Sequence, residues 1–600
     1  WDTIPAEVEN LSIDVGANTF LIAFDAHHRN RDIDFRWHAT IHGSENGSIT
    51  YTMTGEALRA FRYCRIGFCV LHPPDHAPYR GTTPAGPIGG ELPKTISPQR
   101  YEGGLYFPLF DAVSNLTISL AGGVEARFDF EGDLFEMEDQ RNWTDGSFKT
   151  YGTPLSLGYP HSANAGRNFA QQVSITVSGP ASTSHAVADT VNLSLGVPLR
   201  KTLPRLGLGM ATHDAALSQT DEELLGALHL DHLRVDLHLN DRDFLTYLVR
   251  AEEECRAIGC GLELALFLSD DAGHGLLDLA SRLPLTVPVS HVLVFHQQEQ
   301  TTSQHWVQRV RDSIGPKIPG VAIGGGTNLY FAELNRARPN TAGLDLVAYS
   351  INPQVHAGDE RSLVENLEAQ HDTVTSARTF CDGLPLVISP VTLKPRFNPD
   401  AVGPAPAPLD GELPSAVDAR QMSLFAAAWT LGSIKQLAEA GADSVTYYET
   451  TGWRGIKETD VGSPNPELFL SAPGLVFPVF HVFADLAALK TAELITCSST
   501  HPLRVQSLAL RDGANIHLLV ANLTADTQTC AVQEISGDGA QVRSLDASTV
   551  SHATAQPFQF RSQHFRTPIS GSTLTLTLAP YSVTRIDLPA ANDSGQGKER

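Results

Sequence analysis

Two carboxylates sit where hydrolytic chemistry would need them. Glu449 ends an apolar run, DSVTYYE, directly after Tyr447 and Tyr448. A carboxylate held rigidly there and partly desolvated suits general acid–base work. Glu333, in GGTNLYFAELNR, is the second member of the catalytic pair, with Asp236 as a substitute. Two carboxylates can hydrolyse an acetal, their spacing setting the stereochemistry. A single carboxylate acting as base, with a cation at the oxygen that gathers charge, can open an ester or lactone. Arg396, in SPVTLKPRFNP, offers a fork of donors for such an oxygen.

Other polar and aromatic residues cluster in the same manner. Asp236 and His238 follow LRVDL, and Asn328 and Asn335 flank Glu333. Tyr349, Asn352 and His356 share YSINPQVHAGDE, Lys394 stands beside Arg396, and Tyr448, Trp453 and Arg454 share YYETTGWRG. Aromatic faces with convergent polar groups suit a polyol ring. The substrate-binding set expected is Asp236, His238, Asn328, Tyr349, Asn352, His356, Arg396, Tyr448 and Trp453. His356, after Asn-Pro, serves equally well to hold its loop, and Glu299, in HQQEQTTS, is expected to face solvent. No H-x-H, H-E-x-x-H or G-x-S-x-G occurs, so no metal, no cofactor and no serine triad is expected.

These residues need a scaffold, and the spacing supplies one. From Pro204, apolar β-rich runs recur at LGLGM, LRVDL, LELALF, HVLVF and VAIGG, at an interval of about 28 residues. LDLVAYS, LPLVISP and DSVTYYE supply three more, and helical patterns such as TDEELLGAL and RDFLTYLVRAEEECRAI fill the gaps. Eight consecutive strand–helix units close into a (β/α)8 TIM barrel, whose working residues follow the C-terminal ends of the strands. A doubly wound sheet is the alternative, but no G-x-G-x-x-G opens a helix. The chain is too long for one core. It reads as multidomain α/β plus all-β: an N-terminal β-sandwich over 1–200, the barrel over 201–482, a small C-terminal β-sandwich over 483–590 and a disordered tail over 591–600.

The net charge of -24, from 43 basic and 67 acidic residues, argues against nucleic acid and against an anionic membrane face. No apolar run is long enough to span a membrane. The expected partner is a small-molecule sugar lactone or glycoside, and a homo-oligomer is compatible with the sequence. The 7 cysteines lack zinc-knuckle spacing; one pair is open to a disulfide, and the rest read as free thiols. Sequons occur at Asn46, Asn115, Asn142, Asn192 and Asn522.

In FEMEDQRNWTDGSFKTYGTPL, Glu136, Glu138, Asp139, Arg141 and Asp145 crowd beside Trp143. This is read either as a solvated turn or as a loop completing the barrel pocket. With FRYCRIGFCVLHP, YSINPQVHA, SPVTLKPRFNP, RQMSLFAAAWTLGS and SVTYYETTGWRGI, the segment closely resembles the D-apionate lactonase family. The likeness runs from Trp1 to about residue 490 and fades beyond it. It implies a barrel between β domains that hydrolyses D-apionolactone to D-apionate, and a cytoplasmic location. The chain opens at Trp1 rather than Met, so secretion stays open. Two departures accompany it: the family has residues ahead of the position of Trp1, and DHAPYRGTTPAGPIGGELPKTISP differs from the family's loop. The resemblance carries no residue roles.

Three functions are therefore expected in order. The first is a lactonase in which Glu449 or Glu333 activates water while Arg396 and His356 face the oxyanion. The second is a retaining glycoside hydrolase using Glu333 and Glu449, and the third is a non-catalytic carbohydrate-binding protein.

Overall fold

The computed structural model describes residues 4–102, 105–180, 190–399 and 407–588. The expected tail at 591–600 lies outside them. The chain divides into two compact units, Trp1–Asn142 with Gly146–His185, and Trp143–Asp145 with Ala186–Arg600.

The first unit is an antiparallel sandwich. A nine-stranded sheet built on hairpins such as Phe20–Asn30 with Ile33–Gly43 shares one core with a four-stranded sheet that includes Phe135–Asp139 and Phe148–Tyr151. Met53, Leu116, Phe128 and Val173 from the large sheet meet Phe110, Phe135, Met137 and Phe148 from the small one. The solvated-turn reading of the charged segment fails here. Glu136, Glu138, Asp139 and Arg141 are all buried, and Arg141 pairs with Asp139 at 2.8 Å while donating to the carbonyls of Pro93 and Lys94. Buried charges persist because they are paired and bonded in this way.

In the second unit eight parallel strands close a barrel: β1 (Arg205–Gly209), β2 (His232–His238), β3 (Gly261–Leu268), β4 (Val289–His296), β5 (Ala322–Tyr330), β6 (Val347–Ile351), β7 (Leu386–Val391) and β8 (Ser444–Glu449). β8 returns to pair with β1, from Arg205 opposite Ser444 onward. All eight runs expected from the sequence are strands. The helices around the barrel are α1 (Gln219–Gly226), α2 (Phe244–Ile258), α3 (Gly273–Arg282), α4 (Gln304–Ile314), α5 (Phe331–Arg336), α6 (Glu360–Arg378), α7 (Leu424–Ala440) and α8 (Val479–Ala487). Local signals set their ends. A capping box of Ser218 and Asp221 starts α1, and Ser423 caps α7, which stops at Gly441 with φ +92.

Strand alternation sorts the side chains. On β3 and β4, Ala265, Phe267, Leu293 and Phe295 form an apolar layer in the lumen with Ala348 and Val387. On β2 the alternation separates Leu233, Val235 and Leu237, all fully buried, from the polar series His232, Arg234, Asp236 and His238.

The remaining strands form a nine-stranded mixed sheet over a core that includes Val191, Leu193, Ile495, Val505 and Leu518. The expected boundaries shift at both of its edges. Strand Thr190–Thr202 was expected in the first sandwich, but it pairs antiparallel with Glu493–Ser499 and parallel with Gln528–Gln533. Its β pattern marks a strand without naming its partners. At the other edge, α8 runs through the expected boundary at 482 to Ala487.

All seven cysteines are free thiols, with Cys255 and Cys260 placing their sulfurs 3.3 Å apart. Of the sequons, Asn142 and Asn522 are buried with their amides bonded to carbonyls. Among the described residues no helix is long and apolar enough to cross a membrane.

Candidate active site

A cavity of about 320 Å³ opens at the C-terminal ends of β1, β2, β7 and β8. Of the expected residues it is lined by Asp236, His238, Arg396, Tyr448, Glu449 and Trp453, together with Lys394 and Arg454. The volume suits a small ligand, at the low end of common sites.

Glu449 reaches the cavity through an irregularity in the strand. Leu208 pairs with Tyr447 but Gly209 pairs with Glu449, so Tyr448 is an extra residue, with φ +42. Such a bulge re-aims the next side chain, and a bulky residue at positive φ is a strained conformation common at functional sites. The hydroxyls of Tyr447 and Tyr448 both bond to α7, to Ser433 at 2.8 Å and Thr430 at 2.7 Å, and burial pushes both phenols up. Glu449 faces the mouth instead. Its Oε2 accepts from the Thr212 backbone N–H at 3.1 Å and from the Thr212 hydroxyl at 3.2 Å, and its Oε1 accepts from Arg454.

Across the cavity, β2 presents Arg234, Asp236 and His238 two residues apart, on one face. Arg234 is buried. It donates through Nε to Asp236 at 2.7 Å, through Nη1 to the carbonyl and hydroxyl of Ser389 at 2.7 and 2.9 Å, and through Nη2 to Asn328 at 3.0 Å. Asn328 Oδ1 also accepts from Arg396 at 2.8 Å, and Arg396 stands 3.6 Å from Asp236. Depth in the protein pushes Asp236 up, but Arg234 and Arg396 outweigh it and hold the carboxyl below its ordinary range. Burial, then the adjacent Arg234 charge, brings the Arg396 guanidinium down to about 10. His238 stacks on Phe267 at 4.4 Å.

The other expected residues lie elsewhere. Glu333 does not line the cavity; it caps α5, its Oε2 accepting from the Tyr330 N–H at 3.1 Å. Asn335 is buried and accepts from Arg338. Tyr349 follows Ala348 of the lumen layer, so alternation turns it outward, where it bonds Thr373 at 2.9 Å and burial raises its phenol. Asn352 is buried, with its carbonyl accepting from Thr144. His356 pairs with Asp145 beside Trp143, and Asn366 orients Asp145 at 3.3 Å. Asn328 is a linker between the two guanidinium groups and does not line the cavity. Glu299 is half-buried rather than free in solvent, accepting from Ser303 and Trp306 at the start of α4.

Sequence reasoning missed Arg234 and Thr212. Arg234 was legible in HLRVDLH, whose alternation puts a charge at a lumen position. Thr212 carries no such signal, because its loop is brought to Glu449 only by closure of the barrel. Asp418, held by Arg420 and Gln354, and Gln421 also line the cavity.

The comparisons with known proteins span the whole architecture. Models of the D-apionate lactonase family match the N-terminal domain over residues 1–180, the TIM barrel domain over 206–491 and the C-terminal immunoglobulin-like domain over 502–586. The likeness thus extends into the last domain, where it was expected to fade. The D-apionate lactonase of Brucella anthropi is 26% identical over 559 residues, covering 89% of this chain and 88% of that protein. Among solved structures, a family 51 alpha-L-arabinofuranosidase from Bifidobacterium longum has a TM-score of 0.46 at 12% identity, over 66% of this chain and 99% of that one. A GH30 endoxylanase from Clostridium papyrosolvens has a TM-score of 0.42 at 10% identity, over 67% and 100%. With three consecutive domains of one family along its length, the chain is a hydrolase and belongs to the D-apionate lactonase family.

Proposed function

We propose that this hydrolase is a lactonase that opens a small sugar lactone, D-apionolactone by its family, to the corresponding hydroxy acid. The observation that carries the reading is the pairing of two of the cavity's carboxylates with guanidinium groups, Asp236 with Arg234 and Glu449 with Arg454, while Glu333 lies outside. A retaining glycosidase needs two carboxyl groups facing each other across the sugar, about 5–5.5 Å apart. An acyl transfer to water needs one base and a cation at the carbonyl oxygen.

In this reading Glu449 is the base. Thr212 and Arg454 fix the plane of its carboxylate, and Oε1 keeps a lone pair for a proton of the attacking water. The lactone oxygen gathers negative charge as water adds, and Arg396 stabilises it. When the ring C–O bond breaks, the proton held by Glu449 passes to the departing alkoxide. Trp453 offers an aromatic face to the C–H side of the ring.

Acid release from D-apionolactone at fixed pH, run beside an aryl glycoside, tests the reading. Lactone opening with no aryl release is expected. Aryl release alone would make the protein a glycosidase, and sugar binding without turnover of either would make it a carbohydrate-binding protein.

A further inference from the structure

The lumen beneath the cavity holds a fully buried carboxylate, Glu263 on β3. Its Oε2 lies 2.6 Å from His291 Nε2 on β4 and 3.6 Å from His232 Nε2 on β2. Its Oε1 accepts from Ser389 on β7 and lies 3.8 Å from Arg234 Nη1, and Thr446 on β8 stands 3.4 Å from both oxygens. An ion in a barrel lumen is costly, and apolar residues of like volume would hold the barrel at least as well. Stability alone therefore gives no reason to keep Glu263, whereas the residue it faces supplies one. Ser389 bridges it to Arg234, accepting at 2.9 Å, and Arg234 in turn holds both Asp236 and Asn328.

We propose that Glu263 is a positioning residue for the cavity: through Ser389 and its charge it fixes the Arg234 guanidinium, and so the placing of Asp236 and Arg396. The inference rests on the reading of this cavity as the active site. Burial works against the Glu263 anion, but His291, His232 and Arg234 overcome it and hold the carboxyl well below its ordinary range. Its negative charge is thus present at neutral pH, where the two guanidinium groups Arg234 and Arg396 crowd together. The charged and titratable groups facing Arg396 are Arg234, Asp236, Tyr330 and Arg454. Removing the buried anion takes away the charge 3.8 Å from Arg234, leaves that guanidinium less compensated beside Arg396 and makes the Arg396 cation easier to lose.

The test is Glu263→Gln, with Ser389→Ala as a second variant that keeps every charge and cuts only the bridge. Against D-apionolactone, kcat/KM is expected to fall about 10-fold or more in both. In Glu263→Gln the alkaline limb of the pH profile is expected to begin about 0.5 pH or more lower, a shift that a merely structural role would not produce. Phenylglyoxal labelling of Arg396, followed by peptide mass spectrometry, reads the same ionisation without turnover, because the reagent attacks the neutral guanidine. Its onset should move down with the limb. An unmoved labelling onset in folded Glu263→Gln overturns the inference. If that variant does not fold, undiminished kcat/KM in Ser389→Ala overturns it. If the wild type opens no lactone, the lactonase reading fails alone, and labelling still decides the role of Glu263.

Discussion

Arg234 and Asp236 lie two residues apart on β2 and are joined at 2.7 Å, so that strand period and charge pairing place an anion and a cation on one wall of the cavity. The pair is rigid on its Arg234 side, because that guanidinium is buried and also bonded to Ser389 and Asn328. It is open on the Asp236 side, whose carboxylate remains 37% exposed within the mouth. A buried cation that orients an accessible carboxylate, next to Arg396, is a preorganised polar surface of the kind that stabilises developing charge.

Glu449→Gln keeps the shape and the Thr212 contacts but removes the proton acceptor. Loss of kcat by about 10²–10⁴-fold is expected, with KM for the lactone changed little. Steady-state kinetics check it, and a variant with undiminished kcat would remove Glu449 from the mechanism.

The scaffold was legible because its signal is periodic. Five apolar runs at a steady interval and three more beyond them need only be counted, and all eight are strands. Among the cavity's lining residues, the sequence marked those that end a strand or follow it closely, as Glu449, Arg396 and Trp453 do. Tyr349 and Glu333 were expected at the site from their nearness to a strand end, and neither lines the cavity. Tyr349 turns to α6 by alternation, and Glu333 is drawn into the first turn of α5. The bulge at Tyr448, which decides that Glu449 faces inward, depends on pairing with β1 and has no sequence mark. Thr212 meets Glu449 and Arg454 across a separation that only the closed barrel removes.

Arg396 titrates within reach of experiment. Its cation is complete well below about 10 and is lost as pH rises through that value. If the cation faces the oxyanion, kcat/KM is expected to fall above about pH 10 with a single-proton slope. Arg396→Lys should lose about 10²-fold or more in kcat at neutral pH, because an ammonium cannot reproduce the fork. A pH–rate profile of both proteins checks this, and a flat wild-type limb to pH 11 would contradict it.

Glu333→Gln separates the two hydrolytic readings. The glutamate caps α5 and does not line the cavity. The substitution should cost about 1 kcal/mol of stability or less, since an amide oxygen still accepts from the Tyr330 N–H. kcat on the lactone should stay within about threefold. Collapse of activity in a variant that melts normally would restore Glu333 to the catalytic pair.

Glu136, in the first unit, gives a pH dependence of opposite sign to that of an ordinary surface carboxylate. It is fully buried, and burial, relieved in part by the Leu155 N–H and reinforced by the nearby Glu138, raises its carboxyl to about 7. Arg65, at 3.0 Å, recovers only part of this. A folded-state value above the unfolded one favours the protonated, folded form at low pH. That advantage is complete below the unfolded value of 4.5 and is lost as pH rises through about 7. Glu136→Gln has no proton to lose, so at pH 8 it should stabilise the first unit by about 1–3 kcal/mol, whereas at pH 4 it should bring no gain. Denaturant melts of the two proteins at both pH values read the difference. Equal midpoints at pH 8 would mean that Arg65 already neutralises the buried carboxylate in full.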